Sequence, residues 1–270
     1  MVLRALRMRV RSTLRWRRGA PALPHQDKAA LFAHLGGARR DAAEAREAEL
    51  RARYDLAPLH ARSTRLVYRD NLALLDVLER LVGDRDLGLG ARVRAVDVGA
   101  QDWRYVFALE RFWRLHRAPA PRAVELLGVE VDGHVVYPNL HARCDVASAY
   151  ARQLDNGAVR YLVADFRRIE LEARDVVTLF FPFLTAHALR RWGLPDHLFD
   201  PNGLMARARA TLRPGGALVL LHQTARERDI GFALLAEQGV SVVASISAAT
   251  DLVHDGQRTV DRFATLAISP

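Results

Sequence analysis

Three carboxylates stand at the ends of short apolar runs, where alternating strands and helices present groups to a ligand. Asp97 lies in Val96-Asp97-Val98-Gly99-Ala100-Gln101-Asp102-Trp103, Glu130 in Gly128-Val129-Glu130-Val131-Asp132, and Asp165 in Val163-Ala164-Asp165-Phe166. A glycine directly after a strand, as at Gly99, permits a tight turn and close approach of the backbone to a ligand. A carboxylate at the position of Glu130 can accept both hydroxyl hydrogens of a ribose. Asp165 and Phe166 set an acid beside an aromatic ring. His187 follows the fourth run and His222 ends the fifth; either is placed to act as general base toward a hydroxyl or amine, His187 first. No His-x-x-x-His or carboxylate cluster has metal-ligand spacing. The single cysteine, Cys144, excludes an intramolecular disulfide framework and a multi-cysteine zinc site.

The elements that must carry these groups are seven β-rich runs, at 93–98, 124–131, 159–164, 176–181, 217–221, 240–246 and 262–268. Helical patterns separate them at 105–116, 137–154, around 198–212 and at 226–238. Apolar strands alternating with helices predict a parallel sheet covered on both faces. The turn Leu212-Arg213-Pro214-Gly215-Gly216-Ala217 leads into the fifth run. Upstream, 27–35 reads as a short helix, 39–54 as a solvated one, and 64–83 as a helix with an apolar stripe that includes Leu66, Leu72 and Leu75. This gives a basic segment over 1–22, a helical cap or extension over 23–90, and an α/β domain over 91–270.

Half of the 270 residues are hydrophobic, which excludes wholesale disorder. No apolar run approaches the roughly 18 residues that a membrane span needs, and the expectation is a cytoplasmic protein. The formal charge of +9 is concentrated at one end. Arg4, Arg7, Arg9, Arg11, Arg15, Arg17 and Arg18 face no acid in the first twenty residues, and the remainder is nearly balanced. Read as a helix, residues 2–18 place Leu3, Leu6, Val10 and Leu14 on one face beside a row of arginines, a pattern suited to peripheral contact with an anionic surface. A frayed, solvated tail is the competing reading.

The order of these pieces resembles that of the class I S-adenosylmethionine-dependent methyltransferases over about residues 64–268, carried by Asp97-Val98-Gly99, Gly128-Val129-Glu130, Ala164-Asp165 and Leu212-Arg213-Pro214-Gly215-Gly216. The stretch Gly128–Asp132 with the Phe181-Pro182-Phe183 and Trp192-Gly193-Leu194-Pro195 segments is similar to that of a little-characterised bacterial branch. The resemblance implies a Rossmann-like, doubly wound seven-stranded sheet of order 3-2-1-4-5-7-6 with the last strand antiparallel, and S-adenosylmethionine as cofactor. It also implies roles: Asp97 and Gly99 shape the methionine side, Glu130 holds the ribose, Asp165 faces the adenine amine and Phe166 packs on the ring. Gln101 and Trp103 stand where the family has two further glycines, with Trp103 capping the pocket.

Phe180, Phe181, Phe183, Leu184 and Trp192 suggest an apolar acceptor pocket, and therefore a small, partly apolar acceptor. The fourth run lacks the Asn/Asp-Pro-Pro-Tyr pattern of exocyclic or amide nitrogen methylation and the Pro-Cys nucleophile of cytosine C5 enzymes, which argues against a nucleic-acid substrate. Two other readings stay open: a non-catalytic methyltransferase-like scaffold with a degenerate cofactor loop, and an RNA- or membrane-associated protein anchored by residues 1–18.

Overall fold

A computed structural model describes residues 2–253 and 261–270. At its centre β1 (Arg92–Val98) is hydrogen-bonded to β2 (Ala123–Glu130) and β4 (Arg174–Phe180). Outside these lie β3 (Val159–Val163) on one side, and β5 (Leu212–His222), β7 (Phe263–Ile268) and β6 (Ser241–Ser247) on the other. The order is β3-β2-β1-β4-β5-β7-β6, with β7 antiparallel to both its neighbours. This is the Rossmann-like sheet order expected from the sequence.

Alternation along the strands divides the apolar side chains between two cores. Val93 and Ala95 of β1 join one core, Val96 and Val98 the other. The first core is covered by α4 (Arg65–Val82), α5 (Val106–Leu115) and α6 (Arg143–Arg152); the second by α8 (Pro201–Thr211) and α9 (Ala225–Glu237). Before α4 come α1 (Val2–Leu14), α2 (Gly37–Arg53) and α3 (Ala57–Arg62); α7 (Ala186–Arg191) follows β4. Thr64 caps α4 by accepting from the Val67 N–H at 3.3 Å. Buried Asn71 of α4 donates to the Arg104 carbonyl at 2.9 Å and accepts from the Ala108 N–H at 2.8 Å, so α4 fixes the start of α5 and the loop before it.

Several elements differ from their sequence reading. Residues 29–34 form turns rather than a helix, and Ala30 takes φ 55. The predicted helix over 137–154 begins only at Arg143, because Val136 pairs with Ala142 and the preceding loop folds on itself. Gly215 and Gly216 lie within β5, exchanging backbone hydrogen bonds with Ser269. Leu66 points to solvent, and the stripe of α4 runs through Val67, Leu72, Leu75, Leu78 and Leu81. Helix α1 ends at Leu14, where Arg15 turns into the left-handed region.

Candidate functional site

The register of the central strands brings Gly128, Asp97 and Thr178 side by side on β2, β1 and β4. Thr178 donates to Asp97 Oδ1 at 2.5 Å. Gly128 leaves a space that Trp103 fills: a Cβ on Gly128 would lie 2.7 Å from the indole. The indole Nε1–H donates to Asp97 Oδ2 at 2.8 Å, and the Tyr105 hydroxyl donates to the same oxygen at 3.0 Å. Burial lifts the Asp97 carboxyl to about 7 against the pull of these three donors.

Two sequence readings are corrected here. Trp103 is fully buried under the loop and does not cap a pocket, and Asp97 is a buried anchor rather than a lining group. Gly128→Ala should cost about 1–3 kcal/mol by overpacking against the indole; chemical unfolding of the variant measures it, and an unchanged midpoint would contradict this placement.

Anchoring Trp103 from below shapes the loop above it. Gly99 takes φ 77, Gln101 φ 52 and Trp103 φ 55. The two positions where the resemblance expects glycine thus adopt a left-handed backbone with side chains in place, a strain of about 1–2 kcal/mol each. The loop is held by the N–H groups of Gly99 and Ala100, which donate to the Val129 carbonyl at 2.8 and 3.2 Å. The Tyr161 hydroxyl donates to the Gln101 carbonyl at 2.5 Å.

Above this loop a cleft opens at the carboxyl ends of β1, β2 and β4. It spans about 1110 Å³ when the open space at its mouth is included. Gly99, Gln101, Glu130, Asp165 and Phe166 line it, so five of the expected cofactor residues converge there. Glu130 is buried, and its two oxygens are oriented separately: Oε2 accepts from the Gln101 N–H at 3.1 Å and Oε1 from the Asp132 N–H at 2.8 Å. Burial raises its pKa, and the Arg143 guanidinium, 3.6 Å from Oε1, opposes that rise. Each oxygen keeps acceptor capacity for a ligand hydroxyl.

Asp165 is more committed than its sequence position suggested. Arg167 grips it with Nε at 3.0 Å and Nη2 at 2.7 Å, and the Arg167 N–H adds a bond at 3.1 Å. Burial alone would raise the Asp165 pKa; Arg167 holds it below the ordinary carboxylate range. A ligand amine at Asp165 therefore shares the carboxylate with Arg167.

Across the cleft, the wall after β4 is apolar: Phe181, Pro182, Phe183, Leu189, Trp192 and Leu194. Phe181 takes φ 55, an unusual backbone for an aromatic residue and one that clusters at functional sites.

Neither histidine reaches the cleft. His187 is exposed on α7, outside the lining. His222 shares its strand face with Leu218 and Leu220, so it points under α9; a Cβ on Gly231 would meet its ring at 2.8 Å. It is fully buried, its ring nitrogens have no hydrogen-bond partner among the described residues, and burial lowers its pKa to about 4. Neither is positioned as a base toward a ligand in the cleft. His187→Ala should leave ligand affinity and turnover within about twofold of wild type, since exposed substitutions away from a site shift stability by less than about 0.5 kcal/mol; a tenfold loss of rate would restore its candidacy.

Arg143, Arg167 and Gln223 also line the cleft and were not singled out from the sequence. Among thirty-nine arginines, two site arginines carry no distinguishing local signal. Among the described residues no cluster of His, Cys, Asp and Glu is placed to hold a metal ion, and no helix is long and apolar enough to cross a membrane.

No family model matches the chain, and no curated protein matches it. Solved structures do. The chain is similar to the [4+2]-cyclase SpnF at 14% identity, over 94% of this chain and 99% of that one, with a TM-score of 0.52. It is similar to magnesium protoporphyrin IX methyltransferase (ChlM) from Synechocystis PCC 6803, solved with bound S-adenosylmethionine, at 12% identity over 83% and 97%, TM-score 0.50. A third is geranyl diphosphate methyltransferase in complex with its diphosphate and sinefungin, at 13% identity over 76% and 80%, TM-score 0.50. With the strand order and the antiparallel β7, these likenesses define the fold as that of the class I methyltransferases. A fold alone does not fix the reaction.

Proposed function

We propose that this protein is an S-adenosylmethionine-dependent methyltransferase acting on a small, partly apolar acceptor. The observation that carries the reading is Glu130: a buried carboxylate at the end of β2, lining the cleft, with each oxygen oriented by a separate backbone N–H. Such an acid is built to receive two neighbouring hydroxyls. The residues present fit the cofactor. Glu130 would hold the ribose, Phe166 would pack on the base, and the Gly99–Gln101 backbone would border the methionine side. When bound, the cofactor supplies a methyl group activated by its sulfonium charge.

The chain's own residues would then position and enclose. The apolar wall from Phe181 to Leu194 would seat the acceptor and exclude water. Two acids of the lining, Asp165 and Asp200, are both tied to Arg167, Asp200 at 3.2 Å. Catalysis by proximity and alignment suits such a site, with an acceptor whose nucleophile needs no dedicated histidine. The non-catalytic reading rested on the two missing glycines. It loses force because Gln101 and Trp103 take left-handed conformations in their place.

Methyl-labelled S-adenosylmethionine, incubated with the protein and a panel of apolar alcohols, amines and carbon acids, tests the reaction. Label transferred to at least one acceptor is expected. Cofactor binding without transfer to any member would favour a non-methylating use of the same cleft.

A further inference from the structure

Helix α1 is amphipathic in an unusual sense. A surface helix ordinarily turns its apolar stripe inward; α1 turns it outward. Leu3, Leu6, Val10 and Leu14 are 46–73% exposed, while Arg4, Met8 and Arg11 form its half-buried face. The contacts that hold the segment are polar. Arg11 pairs with Asp132 at 2.9 Å, and the Trp16 indole donates to the Leu140 carbonyl at 2.8 Å. Arg17 Nε and the Arg18 N–H donate to the fully buried Asp145 at 2.6 and 2.9 Å.

The helix runs across the cleft's surroundings. Asp132 belongs to the lining on the β2 side. At the other end, Arg4 helps hold Asp196 below the ordinary carboxylate range, after Asp196's closer partner Arg190. The segment is thus fixed in place by charge, with four aliphatic side chains facing solvent.

We propose that α1 seats the protein on an anionic lipid bilayer, inserting Leu3, Leu6, Val10 and Leu14 between headgroups. Charge complementarity selects this occupant. At 100° per residue the apolar stripe is flanked by Arg7 on one side and Arg9 on the other, both exposed, and no acid precedes Asp27 in the sequence. A stripe of leucines rimmed by arginines matches the boundary between acyl chains and anionic headgroups. A second copy of the chain covering the stripe would bring the exposed Arg7 and Arg9 of both copies together. A nucleic acid would use the arginines and leave the leucines exposed, and Trp16, the segment's one aromatic, is already engaged with Leu140. The proposal concerns binding alone and does not depend on the methyltransferase reading.

Sedimentation of the full chain with vesicles tests it. Vesicles of phosphatidylcholine with phosphatidylglycerol should bind the protein at least about tenfold better than phosphatidylcholine alone, and added salt should weaken the binding. The double substitution Leu6→Ser and Val10→Ser removes apolar area only and should weaken partitioning roughly tenfold or more. Both positions are exposed, so the melting temperature should not change, and circular dichroism checks that. Absence of vesicle binding would overturn the proposal. So would binding that the serine substitutions leave intact, the pattern expected of a phosphate contact such as RNA. So would a concentration-dependent dimer abolished by those substitutions, which would assign the stripe to a second copy.

Discussion

Asp97→Ala is expected to destabilise the protein by about 3–5 kcal/mol at pH 6, lowering its melting temperature by roughly 10 °C. The carboxyl group accepts from three donors in three different places: Thr178 on β4, Trp103 under the loop and Tyr105 at the start of α5. Removing it leaves all three without an acceptor in a site with no solvent access, and each orphaned buried donor costs about 1–3 kcal/mol. The loss has a pH signature. The Asp97 carboxyl titrates near 7 in the fold against an ordinary value of 3.8. Between about pH 4 and 7 the unfolded chain has released this proton while the folded chain retains it, so wild-type stability falls as pH rises through that window. The alanine variant lacks that component, so its deficit should narrow as pH rises from about 4 to 7 and level off above 7. Chemical unfolding across pH 4–8 measures both effects. A variant as stable as wild type at pH 6 would contradict the anchoring role.

The second large effect concerns ligand affinity. Glu130→Ala should weaken binding of S-adenosylhomocysteine by on the order of a hundredfold or more, since two charge-assisted hydrogen bonds are lost together. The substitution also frees the Gln101 and Asp132 N–H groups and leaves Arg143 beside an empty position, so part of its effect could be a loosened loop. Glu130→Gln separates the two. It preserves shape and one acceptor oxygen, and should weaken binding about tenfold with little change in melting temperature. Affinity within twofold of wild type in both variants would remove Glu130 from the ligand's contacts.

The parts of this site that were legible in the sequence are those set by strand ends. Buried parallel strands read as unbroken apolar runs, and Glu130, Asp165 and Gly99 close three of them, so their convergence on one cleft followed from sheet topology. Side-chain direction did not follow from strand ends alone. The strand end alone puts His222 on the ligand side, yet its face is readable: it lies two and four residues from Leu220 and Leu218, and alternate residues share a core. The loop sequence alone sets Trp103 over the pocket, because the space beneath the loop that receives it is created by Gly128, on another strand. A glycine inside an apolar strand is itself a sign of close approach, and it was the available signal. Docking of the N-terminal segment was beyond reach. Arg11 meets Asp132 and Arg17 meets Asp145 across more than a hundred residues, and local pattern carries no record of such a pairing.

The central claim is that the cleft binds S-adenosylmethionine, and calorimetric titration of the cofactor into the purified, folded protein tests it most directly. One-to-one binding in the micromolar range, lost in Glu130→Ala, is the predicted result. No detectable heat at any cofactor concentration, in protein shown to be folded by circular dichroism, would contradict the cofactor assignment and leave the cleft to a different ligand.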